Sequence, residues 1–146
     1  MKAKGWIVLL ASLAFGALFV WSGIAKVKNP ISFAEAVRNF RIVGDPVAPA
    51  LAHFLPWLEV FAGLGTMWER TRQGAVALLT LLLLGFTVAV ASAWVRGLDI
   101  SCGCFGSAEA MNYPVKIAQN LGLVAAGLWL WWAARRDASS GRSRED

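Results

Sequence analysis

Residues 74–95 read GAVALLTLLLLGFTVAVASAWV and contain no Asp, Glu, Lys or Arg. A run of roughly 20 apolar residues is long enough to cross about 30 Å of hydrocarbon as an α-helix. Lipid requires the backbone polar groups to be satisfied within the segment, and the run shows no alternation of apolar and polar residues. The sequence therefore predicts a membrane-spanning helix here.

Three further apolar stretches, at 5–25, 49–67 and 117–134, predict three more spans. The chain of 146 residues is 58% hydrophobic and only 16% charged, whereas soluble domains average about 25% charged residues. This composition excludes a water-soluble domain and a disordered chain. We expect an all-α integral membrane protein, a four-helix bundle in residues 1–134, followed by a disordered basic tail at 135–146.

The charges in the loops predict the orientation of the bundle. Four spans place both termini on one side, which carries eight of the 14 Lys and Arg residues, against six on the other side. Positive residues favour the cytoplasmic side, so we expect cytoplasmic termini in a bacterial inner membrane and an extracytoplasmic loop between the third and fourth spans. The first span is predicted to be retained, because it is long for a signal peptide and lacks a convincing cleavage site.

The loop between the third and fourth spans contains both cysteines of the chain, in the sequence SCGCFG at 101–106. Disulfides persist outside the cytoplasm. A disulfide between Cys102 and Cys104 would close too small a loop to add much stability, and strained disulfides are the more oxidising ones. The pair is therefore the predicted catalytic site, with a structural or incidental pair as the alternative. Arg96 and Lys116 flank the loop and are the cations available to stabilise a thiolate.

A metal site is a weaker alternative for the two thiols. Two thiolates suit Cu(I), whereas zinc requires four ligands. The only histidine, His53, lies near the start of the second span, where an interfacial polar role is more common. We therefore predict no metal ligands.

Glu59 is the only Asp, Glu, Lys or Arg within the four apolar stretches. A carboxylate inside a span costs about 2 to 3 kcal/mol on insertion scales, so it normally faces the bundle interior. Two interpretations remain open: an ion pair with Lys26 at the end of the first span, or a proton-relay or ligand-binding role. Gly63, four residues along the same face, is expected to let a neighbouring helix approach. Asn120, early in the fourth span, would either meet a ligand head group or bridge helices.

Residues 30–43, between the first two spans, predict a short amphipathic helix at the membrane interface. Asn29 occupies an N-cap position and is followed by a proline at the first helical position. Phe33, Val37 and Phe40 then recur on one helical face. We expect the polar face of this helix to meet water or lipid head groups.

These motifs together resemble one known family. They are SGIAK at 22–26, LPWLE at 55–59 and CGCFG at 102–106, with Pro30, Phe33, Phe40 and Gly63 between them. From residue 5 to residue 134, the chain resembles the MauE branch of the DoxX-like redox-associated membrane proteins. Within these motifs Lys26, Glu59, Phe105 and Gly106 are predicted binding or structural-support residues, and we add Asn120 to them.

The resemblance implies a role in disulfide formation or maturation of exported proteins, together with a thioredoxin-like partner. In methylamine utilisation, such proteins are thought to assist the small subunit of methylamine dehydrogenase.

Two mechanisms fit these residues. In the first, the disulfide accepts electrons from an exported thiol protein, and a quinone held near Glu59 or Asn120 reoxidises it. This mechanism is an analogy to four-helix, quinone-linked disulfide enzymes at the level of the fold only. Those enzymes use a second cysteine pair as a relay, which this chain lacks. In the second, the protein is a noncatalytic docking or assembly factor whose Phe33, Phe40 and Phe105 line an outer hydrophobic surface. A Cu(I)-handling role comes third.

Overall fold

The computed structural model describes residues 3–98 and 112–142. These residues form five helices: α1 (Ala3–Lys28), α2 (Pro30–Asn39), α3 (Val47–Gly65), α4 (Glu69–Val95) and α5 (Tyr113–Arg142). All except α2 are long and apolar enough to cross a membrane. The described part of the chain contains no strand. The predicted all-α membrane bundle is therefore confirmed.

The predicted spans agree with these helices to within five residues at every end but one. α5 continues to Arg142, so residues 135–142, predicted to be part of a disordered tail, are helical. The guanidinium of Arg135 lies 4.8 Å from the ring centre of Trp131, and that of Arg136 lies 3.5 Å from the ring centre of Trp132. Cation–π contacts between residues four apart support a helix, which explains why α5 extends beyond its apolar stretch.

α2 ends at Asn39, four residues earlier than predicted. Arg41 has a φ of +51°, a left-handed conformation through which an α-helix cannot continue. Asn29 occupies the predicted N-cap position, and its carbonyl accepts a hydrogen bond from the backbone N–H of Phe33 at 3.2 Å. The apolar face of α2 packs on the bundle, mainly on α3.

Glycines bring α1 and α3 into close contact. A Cβ at Gly16 would lie 2.6 Å from the carbonyl oxygen of Gly63, and a Cβ at Gly63 would lie 2.8 Å from that of Gly16. A Cβ at Gly23 would likewise lie 2.8 Å from the carbonyl oxygen of Pro56, inside α3. The expectation that Gly63 allows a neighbouring helix to approach is confirmed, and the neighbour is α1.

α4 and α5 form the second extensively packed pair of helices. The core between the two pairs contains Phe15 and Phe19 from α1, Val76 and Leu79 from α4, and Val124 from α5. The C-termini of α1 and α4 and the N-termini of α3 and α5 meet at one end of the bundle, which α2 covers. We call this the α2 end and the opposite one the terminal end.

Candidate functional site

An ion pair joins α1 and α3 near the α2 end of the bundle. The Nζ of Lys26 donates to both carboxylate oxygens of Glu59, at 2.8 Å each. The two side chains are only 8% and 13% exposed. The same Nζ lies 5.2 Å from the ring centre of Phe33, so α2 contributes a cation–π contact. The structure therefore contains the ion pair that the sequence offered as one interpretation of Glu59. Each charge compensates the other in buried surroundings, where an unpaired charge would be strongly destabilising.

A cavity of about 70 Å³ adjoins this pair. Its polar lining comes from α1, α3 and α5 and consists of Ser22, Lys26, Glu59, Lys116 and Asn120. The rest of its wall is apolar and is contributed by α1, α4 and α5. A polar cavity of this size has room for a few water molecules. The fold therefore brings together three of the predicted support residues: Lys26 on α1, Glu59 on α3 and Asn120 on α5.

Asn120 is the least satisfied polar group around the cavity. Its side chain is 3% exposed, and its Nδ2 has no hydrogen-bond partner among the residues that the structure describes. An unsatisfied buried donor costs about 1 to 3 kcal/mol. The neighbouring Gln119 is exposed on the outer face of α5. Asn120 faces the bundle interior, with an unused donor at the cavity.

Arg96 connects the end of α4 to the end of α2. Its guanidinium donates to the carbonyl oxygen of Phe40 at 2.9 Å and to that of Arg41 at 3.2 Å. The last carbonyls of a helix lack intrahelical partners, so a cation here is stabilising. Of the two cations that flank the cysteine-bearing loop, Arg96 is thus engaged with α2, whereas Lys116 lines the cavity.

Tyr113 joins the residues on either side of that loop. Its hydroxyl donates to the carbonyl oxygen of Leu98, and its ring stacks on that of Trp94, with ring centres 6.5 Å apart and planes 7° apart. The C-terminus of α4 and the N-terminus of α5 are therefore held side by side. The sequence alone does not identify Tyr113 as a functional residue. The only indication in the sequence is that it is the single tyrosine of the chain and lies just before a span.

Comparison with known proteins assigns the chain to a family. The family model described as methylamine utilisation protein MauE matches residues 4–133. The chain belongs to the MauE family. It is 33% identical over 129 residues to the methylamine utilization protein MauE of Methylorubrum extorquens, which is 86% of this chain and 64% of that protein. It is also 33% identical over 127 residues to the MauE of Paracoccus denitrificans, covering 84% of this chain and 67% of that protein.

The MauE of Paracoccus versutus gives a similar result, with 32% identity over 115 residues, 77% of this chain and 61% of that protein. The chain thus spans about two thirds of the length of the curated relatives that it matches. No solved structure matches it. The match to the family model covers Lys26, Glu59, Lys116 and Asn120, so the whole polar lining of the cavity lies within the MauE region.

The predicted redox pair of this MauE family member lies outside the described residues. Cys102 and Cys104 fall there, as do Phe105 and Gly106, and their roles stay predictions. Within the described ranges, no group of three or more His, Cys, Asp or Glu side chains is placed to hold a metal ion. His53 is exposed, and it lies on α3.

The prediction that three phenylalanines line an outer hydrophobic docking surface is wrong at two of the three positions. Phe33 and Phe40 are both buried. Phe33 lies against Lys26, and the ring of Phe40 meets that of Phe86 on α4 edge-on, with centres 6.0 Å apart. An amphipathic pattern shows which face of a helix is apolar, but this face covers the ion pair and the end of α4 instead of awaiting a partner.

Proposed function

We propose that this chain is the membrane component of a thiol-redox system that matures exported proteins. Cys102 and Cys104 exchange disulfides with an exported thiol client or a thioredoxin-like partner. Within the MauE family, three relatives are named methylamine utilization proteins. We therefore propose methylamine utilisation as its setting, with maturation of methylamine dehydrogenase as its task.

The observation that carries this proposal is the construction around the cysteine-bearing loop. Tyr113 holds the two flanking helices together, and Arg96 ties the same region to α2. Beside it, Lys26 and Glu59 form a buried pair at the edge of a polar cavity. Sites that exchange groups with a partner require support of this kind, because the reacting atoms must be held in place by rigid elements.

The chemistry is a two-electron exchange. A client thiolate attacks one sulfur of the disulfide between Cys102 and Cys104, and a mixed disulfide forms. A second client thiolate then attacks the client sulfur of that bond, so the client leaves as a disulfide and both cysteines of this chain are left as thiols. A membrane quinone, reduced to the quinol by these two electrons and two protons, restores the disulfide. The chain has only these two cysteines, so the quinone or a soluble redox partner must reach the loop itself.

The proposed orientation places the cysteine loop outside the cytoplasm. The positive charges favour cytoplasmic termini in a bacterial inner membrane, and an oxidising compartment allows a disulfide to persist. Labelling of the thiols in intact cells with a membrane-impermeant maleimide tests this. We expect labelling after mild reduction, and protection of the thiols until the cells are lysed would contradict the orientation.

The decisive experiment traps the partner. In a Cys104→Ser variant, Cys102 attacks a partner disulfide and has no neighbouring thiol to resolve the bond, so we expect a covalent complex that dithiothreitol releases. The converse variant, Cys102→Ser, tests the other cysteine, and the double variant is the matched control, in which no complex forms. A redox titration of the unmodified protein should give a potential well above the roughly −300 mV below which structural disulfides lie. Two thiols that stay reduced and alkylate slowly in every redox buffer would exclude the proposal.

The same double variant separates redox catalysis from docking. Full client maturation by Cys102→Ser with Cys104→Ser would leave a docking function and remove the redox one. We expect maturation to be lost, because the predicted docking surface is already reduced by the burial of Phe33 and Phe40.

A further inference from the structure

The cavity beside Lys26 and Glu59 has a polar end and apolar walls. Ser22, Lys26, Glu59, Lys116 and Asn120 form the polar end, whereas Leu82, Leu83, Phe86 and Leu123 belong to the apolar wall. Leu18 also lines the cavity and is 43% exposed, so the cavity reaches the surface of the bundle that faces lipid. A molecule with an apolar body and a polar head could thus enter from the membrane.

The polar groups at this end favour a ligand that accepts hydrogen bonds. Both oxygens of Glu59 already accept from Lys26 at 2.8 Å, so the carboxylate offers little to a donor. Asn120, in contrast, presents an Nδ2 that is buried and has no partner among the described residues. Buried polar side chains are normally satisfied, and an exception calls for an explanation such as a bound molecule.

We propose that this cavity binds the oxygen-bearing head group of an amphiphile dissolved in the membrane, with Asn120 Nδ2 donating to that oxygen. A quinone and a phospholipid both fit this description, since both carry accepting oxygens on an apolar body. The binding proposal does not depend on the redox role of the cysteines. A structural role for Asn120 would require its amide to bond another helix, and the structure gives Nδ2 no such bond within its described residues.

Ser12 provides a contrast. Its Oγ is also buried without a partner among the described residues, but Ser12 is not among the residues that line this cavity. An unpaired side chain alone does not indicate a site. At Asn120 the unpaired donor coincides with a cavity, a neighbouring ion pair and an opening toward lipid.

The test measures binding by the purified full-length protein in detergent. The probes are decylubiquinone and dioctanoyl phosphatidylglycerol, each titrated while the Tm of the protein is recorded, because a ligand that binds the folded state raises the Tm in a saturable way. Asn120→Leu and Asn120→Ala remove the donor, and Gln119→Leu is the matched control on the outer face of α5. We expect at least one probe to bind wild type and Gln119→Leu alike, and both Asn120 variants to bind it at least tenfold more weakly.

The two probes distinguish the sources of the head group. Saturation by decylubiquinone alone identifies a quinone site, and saturation by the phospholipid alone identifies a lipid site. The Tm without any probe should be unchanged or higher in Asn120→Leu, because replacing an unpaired buried amide with an apolar side chain is neutral or stabilising. A clear loss of Tm in that variant would show a structural role and overturn the proposal. Equal binding by wild type and the Asn120 variants, or binding of neither probe to wild type, would overturn it too.

The double variant Cys102→Ser with Cys104→Ser keeps this test separate from the proposed function. We expect it to bind the probe as wild type does, because it retains Asn120 and the Lys26–Glu59 pair, to which the proposal assigns the head group. If the redox function fails but binding persists, the site stands without it. If binding fails in wild type while the mixed disulfide still forms, only the site is wrong.

Discussion

The α2 end of the bundle differs from the middle and the terminal end in how its buried polar side chains are arranged. Toward the terminal end, the buried hydroxyls of Thr66 and Thr80 donate to carbonyl oxygens of Gly63 and Val76 at 2.7 Å. Ser12 Oγ has no partner among the described residues, but Ser12 is not one of the residues that line the cavity. At the α2 end, polar side chains from three helices meet, and they leave a cavity and an unused amide donor. Packing does not require such an arrangement, and departures from a locally consistent design concentrate at functional sites. The α2 end is therefore where we expect the functional site.

The largest effect should come from breaking the buried ion pair. Lys26→Met leaves the Glu59 carboxylate buried without its partner, and removal of one member of a buried pair costs about 3 to 5 kcal/mol. We expect a corresponding loss in the free energy of unfolding, measured by denaturation in mixed micelles. The double variant Lys26→Met with Glu59→Leu should recover most of this loss, because no charge is left unpaired. A double variant as unstable as the single one would show that the pair matters for a reason other than charge compensation.

The second prediction concerns the close helix contact in the middle of the bundle. Gly16→Ala would place a Cβ directly against Thr66 Oγ1 and 2.6 Å from the carbonyl oxygen of Gly63, so both the Thr66 side chain and the backbone of α3 must move. Overpacking of this kind costs about 1 to 3 kcal/mol. Gly85→Ala is the matched control, since a Cβ there meets nothing within 4 Å and alanine favours a helix by up to about 1 kcal/mol. Equal stability of the two variants in the same assay would mean that α1 and α3 separate at little cost.

The fold followed from the sequence because its spans are long and almost free of charge. The partner of Glu59 was also within reach, since a lone carboxylate in a span demands compensation and Lys26 ends the neighbouring span. The position of Asn120 relative to that pair was not. It depends on how α5 is rotated about its axis, and a helix with apolar residues on nearly every side gives no pattern from which to deduce that rotation.

Two further features of the structure could not be predicted from the sequence, for related reasons. The burial of Phe33 and Phe40 was missed because an amphipathic pattern does not distinguish a lipid interface from a protein surface. The extension of α5 was missed because Arg135 and Arg136 read as the start of a polar tail. Their contacts with tryptophan rings one turn earlier become visible only in three dimensions.

A smaller effect is expected where Arg96 holds α2 against α4. Arg96→Gln shortens the side chain and removes its charge, so the carbonyls of Phe40 and Arg41 lose donors at 2.9 and 3.2 Å. The global cost should be about 1 kcal/mol, typical of a net hydrogen bond, with the main effect local. Hydrogen exchange should accelerate in α2 and at the end of α4. Arg41→Gln is the control, because the carbonyl of Arg41 accepts this contact and the substitution retains that carbonyl. Unchanged exchange in Arg96→Gln would mean that α2 is held by its phenylalanines alone.

The smallest effect is predicted for the second ion pair at the α2 end. Arg38 Nε donates to a carboxylate oxygen of Asp45 at 2.9 Å, nearly the distance found in the buried pair, but the side chains are 45% and 63% exposed. Solvent-exposed pairs contribute about 0 to 1 kcal/mol, because water and salt screen them and side-chain entropy opposes them. Asp45→Asn should therefore lower the free energy of unfolding by less than about 1 kcal/mol, and added salt should reduce even that difference. A loss comparable to that of Lys26→Met would mean that burial does not set the strength of ion pairs in this bundle.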